Sequence, residues 1–142
     1  MIGYDYMIND MTSALMNLAF DNNIAVIMED KFSPYTPAAV DTKTKVIVIN
    51  SNWHIQNQIP FQLAHEIGHV LNDDGSKACL YFSPSKFGIE GHANKTAIQL
   101  LIPLYFSNIE YIHANTVRFM EAFNIPLYLE DTVIDEIQSY YR

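Results

Sequence analysis

His65, Glu66 and His69 stand in the run FQLAHEIGHVL, residues 61–71, with the spacing H-E-x-x-H. On a helix advancing about 100° per residue, positions four apart lie about 40° from each other, so both imidazoles face one side and can reach a single ion. Imidazole is a ligand for a borderline cation such as zinc, and the glutamate between the pair stands where a general base for a water nucleophile would be. A catalytic zinc site takes three protein ligands and leaves a position for water. A third ligand must therefore come from elsewhere in the chain.

The metzincin pattern would put a third histidine ten residues after the first, and that position is Gly75. Asp73 and Asp74 follow the motif and could fold back toward it, although turn formation also accounts for them. Glu90 opens the segment EGHANKTAIQLLIP, in which Ala93, Ala97, Leu100 and Leu101 form a helical stripe continuing the Glu90 face, with Pro103 ending the helix. A carboxylate in line with that buried face points toward whatever the helix packs on. Gly68 suggests what this is: a mid-helix glycine is about 1 kcal/mol less favourable than alanine, and close approach of a second helix is a usual reason to tolerate it. Small Ala93 and Ala97 would let that helix come near and bring Glu90 to His65 and His69.

These residues need a frame. Apolar residues at Met7, Met11, Ala14, Leu15 and Leu18 recur at helical steps and predict a helix from Tyr4 to about Phe20. Asp21-Asn22-Asn23 breaks it, and Ile24 to Met28 reads as a short strand. Ala38 to Val40, the polar turn Asp41–Thr44 and Lys45 to Asn50 read as an antiparallel hairpin. The motif helix runs from about Ile55 to Leu71, with Pro60 near its start and Asn72-Asp73-Asp74-Gly75 as a stop signal. Its Leu63, Ile67, Val70 and Leu71 form a core-facing stripe, with the histidines on roughly the opposite side. Helices follow near Ser107–Phe123 and Leu129–Tyr140. The fold class is α+β, a small antiparallel sheet packed with the motif helix and further helices.

With 142 residues, 49% of them hydrophobic, the chain is long enough for one domain with a real core, spanning 1–142, and too short to expect two. The longest apolar runs, IAVI and VIVI, are strand-sized and far below a bilayer span. The start MIGYDYMIND lacks the pattern of a secretory signal, which makes the cytoplasm the expected location. Cys79 is the only cysteine, so an internal disulfide and a thiolate cluster are both ruled out. Any metal must sit on histidine and carboxylate. The formal charge of −8 comes without a basic stripe, which disfavours direct nucleic-acid binding; it reads either as solubility alone or as a sign of a neutral or basic partner, a protein.

LAHEIGHVL followed by E-x-x-A-N-x-x-A-x-x-L-L-x-P, here Glu90, Ala93, Asn94, Ala97, Leu100, Leu101 and Pro103, resembles the ImmA/IrrE family of metallopeptidases. The preceding order is similar too: helix, strand, then a loop and hairpin ending in Ile49-Asn50. The resemblance covers about residues 10–105, and the helices of 106–142 complete the fold or supply a substrate-recognition surface. Thr96 departs from it, where the family usually has phenylalanine, as does His92, where many members carry an acidic or amide residue.

The resemblance implies a minimal zincin-like domain with a thermolysin-like, gluzincin-type site: one Zn2+ on His65, His69 and Glu90, and Glu66 as the proton-transferring base. Other divalent first-row metals also suit such a set. Family members act on helix-turn-helix repressors, often for phages or other mobile elements, so the implied substrate is a separate DNA-binding repressor whose cleavage relieves repression. A donor for the oxyanion is also expected, with Tyr81, His92, Tyr105 and His113 as candidates. His54 and His113 also read as ordinary surface or core histidines. The competing class is a binding module, an antirepressor that sequesters its partner around a structural metal site. Structural zinc sites are normally closed by four protein ligands, so the open position and the retained Glu66 favour the peptidase.

Overall fold

Asp41 Oδ1 accepts the backbone N–H groups of Lys43 and Thr44 at 3.0 and 3.4 Å, and Lys45 takes a left-handed φ of 57°. That turn folds strand β2 (Ala39–Asp41) antiparallel onto β3 (Val46–Asn50), as its polar residues predict. The computed structural model describes residues 2–73 and 80–142. Among them lie two more strands, β1 (Ala25–Glu29) and β4 (Leu80–Tyr81), and five helices: α1 (Ile2–Asp21), α2 (Ile59–Leu71), α3 (Gly88–Phe106), α4 (Thr116–Ala122) and α5 (Glu130–Tyr141).

The sheet corrects one expectation. Its order is β1-β3-β2-β4, and β1 pairs with β3 in parallel, Ala25 opposite Val46 through Glu29 opposite Asn50, so the sheet is mixed rather than antiparallel. The parallel pair arises because the hairpin returns β3 along β1, a non-local pairing that the pattern of neither strand reveals. Ile47 and Ile49 of β3 are buried on one face, toward α2. Asn50, also buried, donates to the carbonyls of Ser33 and Thr36 at 2.8 and 2.9 Å and accepts from Asn52 N–H at 2.9 Å, fixing the loop that leads into β2.

A single 3-10 turn at Gln56–Gln58 precedes α2, which starts at Ile59 instead of near Ile55 because Pro60 fits only its first turn. Buried polar groups moor this end: Ala38 N–H donates to Gln62 Oε1 at 3.1 Å, Trp53 Nε1–H donates to Gln58 Oε1 at 2.9 Å, and Gln58 Nε2 donates to the Asn124 carbonyl at 3.1 Å. The other end stops at Asp73, whose φ of 55° is the left-handed conformation of a helix terminus. Every residue from Ile59 to His69 is buried. The histidine side of α2, opposite its apolar stripe, is thus covered as well, by α3.

That covering runs through Gly68. A Cβ there would lie 3.1 Å from the Ala93 carbonyl oxygen and 3.2 Å from Thr96 Cβ, so the two helices touch at the glycine as its cost suggests. Pro103 does not end α3, which continues to Phe106. The carbonyl that its missing N–H leaves free belongs to Gln99, and both residues are exposed, where water can take the place of the lost bond. The helix expected over Ser107–Phe123 is broken: a 3-10 turn spans Tyr111–His113, and α4 begins only after Asn115, whose side chain accepts the Arg118 N–H at 3.0 Å. Phe119, Phe123, Val133 and Ile137 carry α4, α5 and their connection into the same core as Leu15, Ile47, Phe61 and Leu101.

Candidate metal centre

The arrangement starts from α2. His65 and His69 are one turn apart and both fully buried, with ring centroids 4.7 Å apart and planes at 86°. Close packing at Gly68 brings the first turn of α3 over them. Glu90, in that turn, sets Oε2 2.8 Å from His69 Nε2, while its Oε1 lies 3.4 Å from His65 Nε2. One ligand atom from each of the three residues lies within 4.8 Å of the others. Burial alone would raise the Glu90 pKa, but hydrogen bonds to the two imidazoles and their charge outweigh it and hold the carboxyl at about 2.

Glu66 is the anomaly. Its side chain is fully buried, yet neither carboxylate oxygen has a hydrogen-bond partner among the described residues. Oε1 sits 3.7 Å from His65 Nε2. Burial, and then the neighbouring Glu90 carboxylate, push its pKa well above the ordinary range. Two carboxylates and two imidazole nitrogens thus face one small volume, with one carboxylate uncompensated, and a buried anion without a partner is strongly disfavoured. A divalent cation held by His65, His69 and Glu90 removes that difficulty, and the donor set of two nitrogens and one oxygen suits zinc. The residues present fit the ion.

Around the histidines the walls are specific. The Phe82 ring stands edge-on to His65 with centroids 5.0 Å apart, where the chain leaves β4. On the other ring nitrogen, Asn94 Oδ1 lies 2.7 Å from His65 Nδ1, and Asn94 Nδ2 donates to the Ser85 carbonyl at 2.5 Å. Asn94 enters the sequence reading only as a motif letter. Its signal was its place one turn after Glu90, on the face that meets His65.

Of the other candidates, Asp73 is exposed at the end of α2 and outside the ligand group, while Asp74, Gly75 and Cys79 lie outside the described residues. Tyr105, fifteen residues along α3 from Glu90, is about 22 Å from it at 1.5 Å per residue. Its ring packs with Phe106, Phe119 and Phe123, centroids 4.8 to 5.9 Å apart. His113 is exposed on the 3-10 turn beyond that end of α3, and His54 contacts the Pro34 carbonyl and the Tyr35 and Trp53 rings. His92 is exposed on α3, and Tyr81 is exposed on β4 one residue before Phe82. No helix of the described residues is long and apolar enough to cross a membrane.

Two histidines one turn apart, a carboxylate from the next helix and a small mixed sheet beside them define a zincin-like centre of the metallopeptidase class. The chain matches the peptidase M78 family model, the IrrE N-terminal-like domain, over residues 22–127, and it belongs to that ImmA/IrrE family of metallopeptidases. The match begins after α1, at residue 22 rather than near residue 10, and extends past the expected limit near residue 105, through α4 and into the connection to α5. No curated protein and no solved structure gives a significant match to the chain.

Proposed function

We propose that the chain is a zinc-dependent endopeptidase that cleaves a separate regulatory protein, a DNA-binding repressor of the helix-turn-helix type, and so relieves repression for a phage or other mobile element. The observation that carries the enzymatic part is Glu66: a fully buried carboxylate without a hydrogen-bond partner among the described residues, 3.7 Å from a nitrogen of the ligand set. A structural site has no use for it. The net charge of −8 supports a protein partner over direct binding to nucleic acid, and the family supports a peptide substrate.

In this reading His65 and His69 Nε2 and the Glu90 carboxylate hold the zinc. When bound, the ion supplies Lewis acidity that lowers the pKa of water and polarises a peptide carbonyl. Glu66 takes a proton from the attacking water on a carboxylate oxygen and returns it to the amide nitrogen of the departing strand. Burial, and then the neighbouring Glu90 carboxylate, raise its pKa, which makes it a stronger base than an ordinary carboxylate. Buried Phe61, Leu63 and Ile67 on the same helix keep the pair of histidines from shifting. Tyr81 and His92, which flank the ligands in sequence, are the candidates for an oxyanion donor.

The test is incubation of zinc-loaded wild type and Glu66→Gln with a candidate repressor, read as new termini by mass spectrometry. Cleavage by wild type and a loss of about 10²- to 10⁴-fold in the variant, with zinc retained, is the expected result. Equal cutting by both would remove Glu66 from the mechanism. A variant that binds and inactivates the repressor as well as wild type, with no cleavage by either, would make the chain a sequestering antirepressor.

A further inference from the structure

We propose that Asn94 is a positioning residue for His65: its amide fixes the imidazole proton on Nδ1 and thereby presents Nε2 to the metal. The inference rests on the metal-centre reading above and goes beyond it by assigning the residue that orients a ligand.

The two ends of the Asn94 amide can be told apart by what each touches. The Ser85 carbonyl oxygen can only accept, so the atom 2.5 Å from it is the NH2 group. The opposite end is then the oxygen, and it faces His65 Nδ1 at 2.7 Å. An oxygen there demands an N–H, so Nδ1 carries the proton. Nε2, the atom on the Glu90 side, is left to bind the ion. A reversed amide would set oxygen against oxygen at Ser85.

The Ser85 carbonyl is itself held still. Phe87 N–H donates to Ser85 Oγ at 3.2 Å, and Gly91 N–H donates to the Phe87 carbonyl at 2.9 Å. The backbone of Lys86 lies 2.3 Å from where a Gly91 Cβ would be, so the segment sits flat on the first turn of α3. Asn94 is completely buried, so both ends of its amide need partners within the protein. One helix therefore supplies a ligand, Glu90, and one turn later the group that orients a ligand on the facing helix.

The experiment measures Zn2+ affinity of wild type, Asn94→Ala and Asn94→Asp by competition with a chromogenic chelator, together with 15N NMR of the zinc-loaded wild type. Asn94→Ala should bind about 10- to 100-fold more weakly. Asn94→Asp keeps an acceptor at Nδ1 while losing the donor to Ser85, and should recover most of that affinity. The spectrum should show His65 with its proton on Nδ1. Affinity unchanged in Asn94→Ala, an aspartate variant as weak as alanine, or a proton on Nε2 each overturns the role of Asn94 while leaving the peptidase reading intact. The NMR readout needs no variant to fold. A wild type that binds no zinc overturns both.

Discussion

A Cβ on Gly91 would fall 2.3 Å from the carbonyl carbon and oxygen of Lys86, a distance no side chain tolerates. Backbone must move to admit even alanine, and the backbone in question carries the Ser85 carbonyl on one side and precedes Glu90 on the other. Gly91→Ala is expected to destabilise the fold by about 1–3 kcal/mol. It is also expected to weaken zinc binding. A thermal melt and metal content measured on the same preparation check both, and a variant indistinguishable from wild type in the two would show that the segment yields freely.

Gly68 poses a closer contest. Alanine gains about 1 kcal/mol of helix propensity there. Its methyl would meet the Ala93 carbonyl at 3.1 Å and the β-branched, rotamer-restricted Thr96 at 3.2 Å. Because one obstacle is helix backbone, sterics should win by about 1 kcal/mol, with α3 pushed outward and Glu90 drawn away from the histidines. A raised melting temperature for Gly68→Ala would mean that the helices part without strain.

Glu66→Gln should raise the stability of the metal-free protein even as it removes cleavage. Burial raises the pKa of this carboxyl in the folded chain above its unfolded value, so the unfolded state releases its proton first. The penalty is absent at low pH, where both states are protonated, and grows as pH rises above the ordinary carboxylate range. Denaturant melts of chelator-treated wild type and variant at pH 4 and pH 7.5 should converge at the lower pH and differ by about 1–3 kcal/mol at the higher. A gap that narrows toward pH 7.5 contradicts the sign.

Metal content by mass spectrometry on wild type and Glu90→Ala distinguishes the candidate third ligands. About one zinc per wild-type chain and a clear loss in the variant are expected, since a ligand set of three cannot spare its carboxylate. Full zinc in both would move that ligand to Asp73 or Asp74.

How much of this was legible beforehand follows from the range of the interactions involved. The H-E-x-x-H spacing, the Asp41–Thr44 turn and the stop after Leu71 are local, and local chemistry writes itself into adjacent residues. Gly68 was legible for a different reason: an expensive residue in a helix needs a neighbour to justify it, and α3 supplies one. The parallel pairing of β1 with β3 was not legible, because period and composition are the same for either direction. Pro103 misled because a helix tolerates proline when the orphaned carbonyl reaches water, which depends on exposure rather than on residue type. Asn115 is a capping residue whose local signal is masked by the continuous apolar spacing of the stretch around it. The burial of His65 and His69 needed α3 in place, and a helix wheel of α2 alone cannot show what lies across from its polar side.

The covering of α2 from Ile59 to His69 has a further bearing, on the speed at which the centre exchanges what it holds. Amides of a helix sheathed on all sides open to solvent only when the core around them opens, so two of the three candidate ligands ride on an element expected to exchange slowly. Of the three candidate ligands, Glu90 is the one with solvent access, its side chain 19% exposed. If the candidate centre holds an ion, its exchange is expected to follow the first turn of α3, and hydrogen exchange there, not on the histidine helix, should keep time with it.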